Sequence, residues 1–235
     1  MIGAEARLAE EVCVETKGLL FDMDGVLVSS IGSVERCWKR WCAIHGVPDA
    51  ESFEVPHGIR ALDIMRMLKP EWNEAELADG LRVIEDMELE DTGDLKVLPG
   101  AKALLAQLPV ERWAIVTSAT RRLLLGRLAA AGLPVPERLI SGDMVERGKP
   151  DPEPYRRGAE LLGIRSEDCV VVEDAPSGVG SGKAAGSRVL GVLGTHDAPE
   201  LYAARADWVV ASLVGVKAAF DGYELAIHFE AVDNA

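Results

Sequence analysis

Short unbroken apolar runs alternate along this chain with stretches whose apolar residues recur every three to four positions. The runs are GLLFD at 18–22, RWAIVT at 112–117, ERLISG at 137–142 and CVVVED at 169–174, with weaker ones at RVLGV (188–192) and DWVV (207–210). Each is apolar on both faces and bounded by turn residues, which predicts strands of a parallel sheet covered on both sides. Between them the pattern predicts helices at 99–108, which Pro99 starts, at 120–131, closed by Gly132, at 152–162, closed by Gly163, and at 176–185, closed by Gly186. Strand and helix in alternation make an α/β fold, a doubly wound parallel sheet.

Residues 30–97 break that rhythm and contain no strand-like run. Val34, Cys37, Trp38, Trp41 and Cys42 recur at helical spacing, His45-Gly46 reads as a helix C-terminus, and 60–68 and 73–91 read as two further helices. The expected organisation is a discontinuous Rossmann-like α/β core, 1–29 and 98–235, with a small α-helical cap at 30–97 inserted after the first strand. Near the C-terminus Tyr223, Leu225, Ile227 and Phe229 alternate with Glu224, Ala226, His228 and Glu230. That predicts one half-exposed strand, with residues 12–14 as a partner.

Composition narrows the function. Apolar residues are 48% and charged residues 27% of the 235, enough for a packed core and too apolar for a disordered chain. A net charge of −14 repels nucleic acid and anionic lipid, so neither nucleic acid nor membrane is an expected partner. It also repels a phosphate substrate at long range, so a phosphate site must bring its own positive charge. No stretch approaches the roughly 20 apolar residues that span a bilayer, and residues 1–17 lack the basic-then-apolar order of a signal peptide. A cytoplasmic protein, monomer or weak homodimer, is expected. Cys13, Cys37, Cys42 and Cys169 include no CxxC pair and no zinc-type spacing with histidine, and are read as buried reduced thiols.

In an open α/β sheet ligands bind beyond the carboxyl ends of the strands, so those ends carry the chemistry. The first gives Asp22-Met23-Asp24-Gly25 and the second Thr117-Ser118; Gly148-Lys149-Pro150 lies past the third, and the fourth gives Glu173-Asp174. Carboxylates in this number suit a hard cation such as Mg²⁺, which binds through few carboxylates plus a substrate phosphate. The cation would let an aspartate approach a phosphate dianion and take its phosphoryl group. Lys149, the Thr117 hydroxyl and backbone N–H groups after Asp22 could hold the charge on the transferring group. Asp24, two residues on, could protonate the leaving oxygen and later activate water. Each feature alone is common in structural turns and loops; their recurrence at successive strand ends is what points to chemistry.

In order, FDMDGVL (21–27), IVTSAT (115–120), GKPDPEPY (148–155) and VVEDAPSGVGSGKAAG (171–186) resemble the haloacid-dehalogenase-like hydrolase superfamily, over about residues 17–212. The resemblance implies Asp22 as nucleophile, Asp24 as general acid/base, and Lys149 as the cation of the catalytic set. It implies substrate contacts from Thr117, Ser118 and Lys149. Mg²⁺ is expected on the Asp22 carboxylate, the Asp24 carbonyl and Asp174, with Glu173 beside them. VPHGIRALDIM (55–65), WAIVTSATR (113–121) and ERGKPDPEPYRRGAELLG (146–163) are similar to the glycerol-phosphate, 2-deoxyglucose-6-phosphate and related sugar phosphatases. That places His57 and Arg60 in a cap substrate loop. The expected activity is a Mg²⁺-dependent phosphatase acting on a small phosphorylated metabolite, a sugar or polyol monophosphate, through an aspartyl phosphate. Asp24 argues against a dehalogenase, where halide needs no proton. Lys39 and Lys69, the lysines between 30 and 90, match no Schiff-base motif. A β-phosphoglucomutase-like phosphotransferase shares the four core motifs and is the alternative, and an inactive binding module a more distant one.

Overall fold

The computed structural model describes residues 10–233; the ends of the expected core at 1–9 and 234–235 lie outside them. The chain runs β1 (Glu10–Thr16), β2 (Gly18–Phe21), β3 (Val28–Ser29), α1 (Ile31–Ile44), α2 (Ala61–Leu68), α3 (Glu74–Glu90), β4 (Lys96–Val97), α4 (Ala101–Leu105), β5 (Trp113–Val116) and α5 (Arg121–Ala131). It continues β6 (Leu139–Ile140), α6 (Glu153–Leu161), β7 (Cys169–Glu173), α7 (Pro176–Ala184), β8 (Arg188–Val192), α8 (Ala198–Ala203), β9 (Trp208–Val210), β10 (Lys217–Phe220) and β11 (Leu225–Ala231). No helix among the described residues is long and apolar enough to cross a membrane.

Six parallel strands form the central sheet in the order β6-β5-β2-β7-β8-β9. Alternate residues of each strand serve opposite faces. Leu19, Phe21, Ile115, Val170 and Val172 enter one apolar core, and Leu20, Ala114, Val116, Cys169 and Val171 enter the other. Helices must cover both faces, which is why these strands read as unbroken apolar runs. The winding reverses between β2 and β7, so a crevice opens past their carboxyl ends.

α4 is shorter than the 99–108 predicted, because Gly100 has φ +87° and cannot be helical. The C-terminal strand pairs with β1 in register, Val12 opposite Phe229 and Val14 opposite Ile227. Tyr223 lies before it and is exposed. β10 adds a third strand to this antiparallel sheet; its KAAF carries too little β-branched or aromatic character to stand out in the sequence. Cys13 is exposed, unlike the buried Cys37, Cys42 and Cys169, because it faces outward opposite His228.

α1, α2 and α3 form a helical insert with its own core of Trp38, Trp41, Cys42, Ile64, Met65, Leu77 and Ile84. Trp41 donates its indole N–H to the Gly80 carbonyl at 2.9 Å, tying α1 to α3. Asn73 and Glu76 form a reciprocal capping box that starts α3. The stretch 30–97 does contain a strand: β4 pairs with β3, Ser29 opposite Lys96 and Val28 opposite Val97. The two passages between core and insert are thereby held side by side.

Candidate active site

β2 delivers the first two acids. Past Phe21 the chain folds into a tight turn closed by Leu27 N–H to Met23 O at 2.8 Å and Gly25 N–H to Val28 O at 2.7 Å. Gly25 sits at φ +83°, and a β-carbon there would collide with the Asp174 carboxylate. Glycine at this position therefore lets the β2 and β7 ends meet.

Asp22 is buried beside Lys149, which reaches in from the loop after β6. Lys149 Nζ lies 2.6 Å from Asp22 Oδ1, 2.7 Å from Glu173 Oε1 and 3.1 Å from the Val116 carbonyl. Burial pushes the Asp22 carboxyl up to about 7, helped by Glu173 and Asp24 and opposed by Lys149. Burial works to lower the Lys149 pKa, but Asp22 and Glu173 outweigh it, so the ammonium form is favoured. Asp174 is raised well above the usual carboxylate range by burial and by Glu173 and Asp22. Thr195 donates its hydroxyl to Asp174 Oδ2.

Glu173 is saturated: Oε1 accepts from Lys149 and from the Tyr155 hydroxyl at 2.9 Å, and Oε2 accepts from the Asp174 and Ala175 amides. Oxygens of Asp22, Glu173 and Asp174 lie within 4.8 Å of one another. Three buried carboxylates against one ammonium leave excess negative charge, and the donors are all oxygens, so the site fits a hard divalent cation.

Thr117, after β5, is buried and accepts from the Ala119 amide through Oγ1 at 3.1 Å. It lines, with Asp22, Asp24 and Asp174, a cavity of ≈ 100 Å³ roofed by the helical insert. The insert's wall is largely apolar, with Val34, Trp38, Val55, Ile59 and Ile64, and is broken by Glu88. His57 also lines the cavity, and burial followed by the neighbouring His196 lowers its pKa.

Arg60 does not line the cavity. Its guanidinium is buried and turned toward the core, donating to the carbonyls of Gly142, Val145 and Glu146 and, through Nε at 2.7 Å and Nη2 at 2.9 Å, to Asp63. Ser118, expected to contact substrate, lines the cavity and donates to the Gly58 carbonyl at 2.7 Å, while Ser177 donates to the His57 carbonyl. The 57–60 loop is thus fastened to the core on both sides.

Two residues absent from the sequence reading complete the wall. Arg127 of α5 places Nη1 2.5 Å from Asp24 Oδ2 and Nη2 2.6 Å from Glu88 Oε2 of α3. Ser30 donates to the other Asp24 oxygen at 2.8 Å. Their signal was available: Arg127 falls in the buried stripe with Leu123, Leu124 and Leu128, and Glu88 extends the stripe Leu77, Gly80, Ile84. A charge on the buried face of an amphipathic helix needs a partner.

The chain matches the haloacid dehalogenase-like hydrolase family over residues 16–186. It is 43% identical over 187 residues to hexitol phosphatase A of Escherichia coli, covering 79% of this chain and 87% of that one. It is 34% identical over 216 residues to 2-deoxyglucose-6-phosphate phosphatase 2 of Saccharomyces cerevisiae, covering 84% and 88%. A crystal structure of a HAD family hydrolase from Deinococcus radiodurans, with bound phosphate and sodium, superposes with a TM-score of 0.63 at 30% identity, covering 84% and 92%. The strand-end acids and lysine converge at one crevice, and the likeness to these proteins spans most of the chain: it belongs to the haloacid dehalogenase-like hydrolase family.

Proposed function

We propose that this enzyme, a phosphoric monoester hydrolase, is a Mg²⁺-dependent phosphatase of small sugar or polyol monophosphates that works through a phosphoryl group on Asp22. The observation that carries the reading is the buried Asp22–Lys149 contact at 2.6 Å, with a second carboxylate, Asp24, at the same cavity. In this reading 30–97 is the cap and 1–29 with 98–235 the core. Mg²⁺ would be held by the carboxylates of Asp22 and Asp174 and the Asp24 carbonyl, where it would supply the positive charge that lets a carboxylate meet a phosphate dianion.

Asp22 attacks phosphorus; its O–P bond forms as the ester O–P bond breaks, and the leaving oxygen takes a proton from Asp24. Water then attacks the aspartyl phosphate, its proton passing to Asp24, and phosphate departs from a regenerated Asp22 carboxylate. Lys149 and the Thr117 hydroxyl hold the oxygens of the transferring group. Glu173, with all four hydrogen-bond positions taken, orients Lys149. The cap keeps bulk water out while the phosphoryl group is in transit.

The cavity's charge favours a neutral organic moiety. Among the described residues lining it, Arg127 is the one Lys or Arg, and it is already paired with two carboxylates. A bisphosphate, which a mutase cycle needs, would find no free cation for its second group. The named relatives acting on hexitol phosphate and 2-deoxyglucose 6-phosphate support the same substrate class. A panel of polyol, hexose and pentose monophosphates and hexose bisphosphates, assayed for phosphate release with Mg²⁺ and with EDTA, tests this. Turnover confined to bisphosphates, or undiminished in EDTA, would refute it.

A further inference from the structure

Arg127 is a buried cation that the chemistry above does not use. It sits on the core helix α5, contacts Asp24 Oδ2 at 2.5 Å with one nitrogen and Glu88 Oε2 of the cap helix α3 at 2.6 Å with the other. Its side chain is 7% exposed and that of Glu88 is 5% exposed, so water does little to screen that pair, while Asp24, at 29% exposed, remains open toward the cavity. Ser30, between β3 and α1, takes Asp24 Oδ1. Both oxygens of Asp24 are therefore fixed, one by the passage into the cap and one by a guanidinium that the cap also grips.

We propose that Arg127 is a positioning residue for Asp24, and that Glu88 makes this positioning depend on the cap being in place. A planar guanidinium can bridge two carboxylates at once through separate N–H groups. With Glu88 seated, Arg127 has one orientation, and it aims Asp24 at the cavity. With the cap withdrawn, Arg127 loses its second anchor and Asp24 its fixed plane. Proton delivery to the leaving oxygen is thereby confined to the closed site. The proposal rests on reading Asp24 as the acid, and the test separates the two.

The test is kcat/KM, which reports phosphoryl transfer to the enzyme, measured across p-nitrophenyl phosphate, phenyl phosphate and sorbitol 6-phosphate at saturating Mg²⁺. Asp24→Asn calibrates the series: loss of the acid should fall hardest on the alkyl ester. Arg127→Gln is expected to steepen the dependence in the same sense, losing at least about tenfold more on sorbitol 6-phosphate than on p-nitrophenyl phosphate. Arg127→Lys, which keeps the charge but cannot span both carboxylates, and Glu88→Gln should fall between it and wild type. These milder variants carry the test if Arg127→Gln fails to fold. Equal losses across the series from the Arg127 and Glu88 variants, beside a steepened series for Asp24→Asn, would overturn the proposal and leave Arg127 a structural bridge. A flat series for Asp24→Asn would remove Asp24 as the acid, and the proposal with it.

Discussion

Lys149 and Glu173 form a pair closed off from solvent, with Nζ 2.7 Å from Oε1 and side chains 1% and 0% exposed. A β-carbon at Gly178 would strike the Glu173 carboxylate, so α7 can pass this close only with glycine there. The pair ties the loop after β6 to the end of β7. It fixes the ammonium beside Asp22, which ordinary loop lysines are too flexible to achieve.

Removing Glu173 should accordingly damage both stability and catalysis. Glu173→Ala removes the acceptor of the Tyr155 hydroxyl and of the Asp174 and Ala175 amides, and each buried donor left unsatisfied should cost about 1–3 kcal/mol. Urea unfolding measures this. Glu173→Gln, which keeps the shape, should lower kcat with less loss of stability, because the neutral amide grips Lys149 less firmly.

Arg60 should behave as a latch and not as a reader of substrate. Its guanidinium is spent on Asp63 and three core carbonyls. Arg60→Ala should lower kcat/KM on a polyol phosphate and on p-nitrophenyl phosphate by similar factors. His57→Ala, on the cavity wall, should cost more on the polyol substrate. A loss at Arg60 confined to the polyol phosphate would restore it as a specificity residue.

Much of this was legible in the sequence, for identifiable reasons. The central strands announced themselves because burial on both faces leaves no polar position in GLLF, WAIV or CVVV, and the site followed because parallel strands bring their carboxyl ends together. Lys149 could be placed by its motif but not its partners, since Tyr155 and Glu173 meet it only through tertiary packing. The partners of Arg60 could not be read, because position in a loop does not say which way a long side chain turns. Arg127 and Glu88 carry no motif and so drew no reading from the sequence, although their places in the Leu123–Leu128 and Leu77–Ile84 stripes marked them as buried.

Glu88 should leave a trace in the pH dependence of stability. Burial raises its pKa from 4.5 to about 7, against the pull of Arg127. The folded state therefore holds a proton that the unfolded state has released between these values, and the linked stability, full below about pH 4.5, is lost as pH rises through about 7. Relative to Glu88→Gln, which does not titrate, the wild type should weaken by about 3 kcal/mol across that window. Urea unfolding of both proteins at pH 4.5 and 7.5, without added metal, measures the difference; a constant gap would show that Glu88 stays ionised throughout.

If the Asp22 carboxylate receives the phosphoryl group, rapid-quench peptide mapping will find it there. Enzyme mixed with excess p-nitrophenyl phosphate and Mg²⁺ is stopped in acid within the first turnovers, digested, and its phosphorylated peptide located by mass spectrometry. The expected result is a phosphoryl group on Asp22, absent from Asp22→Asn. A phosphoryl group on any other residue, or phosphate release by Asp22→Asn at the wild-type rate, would contradict it.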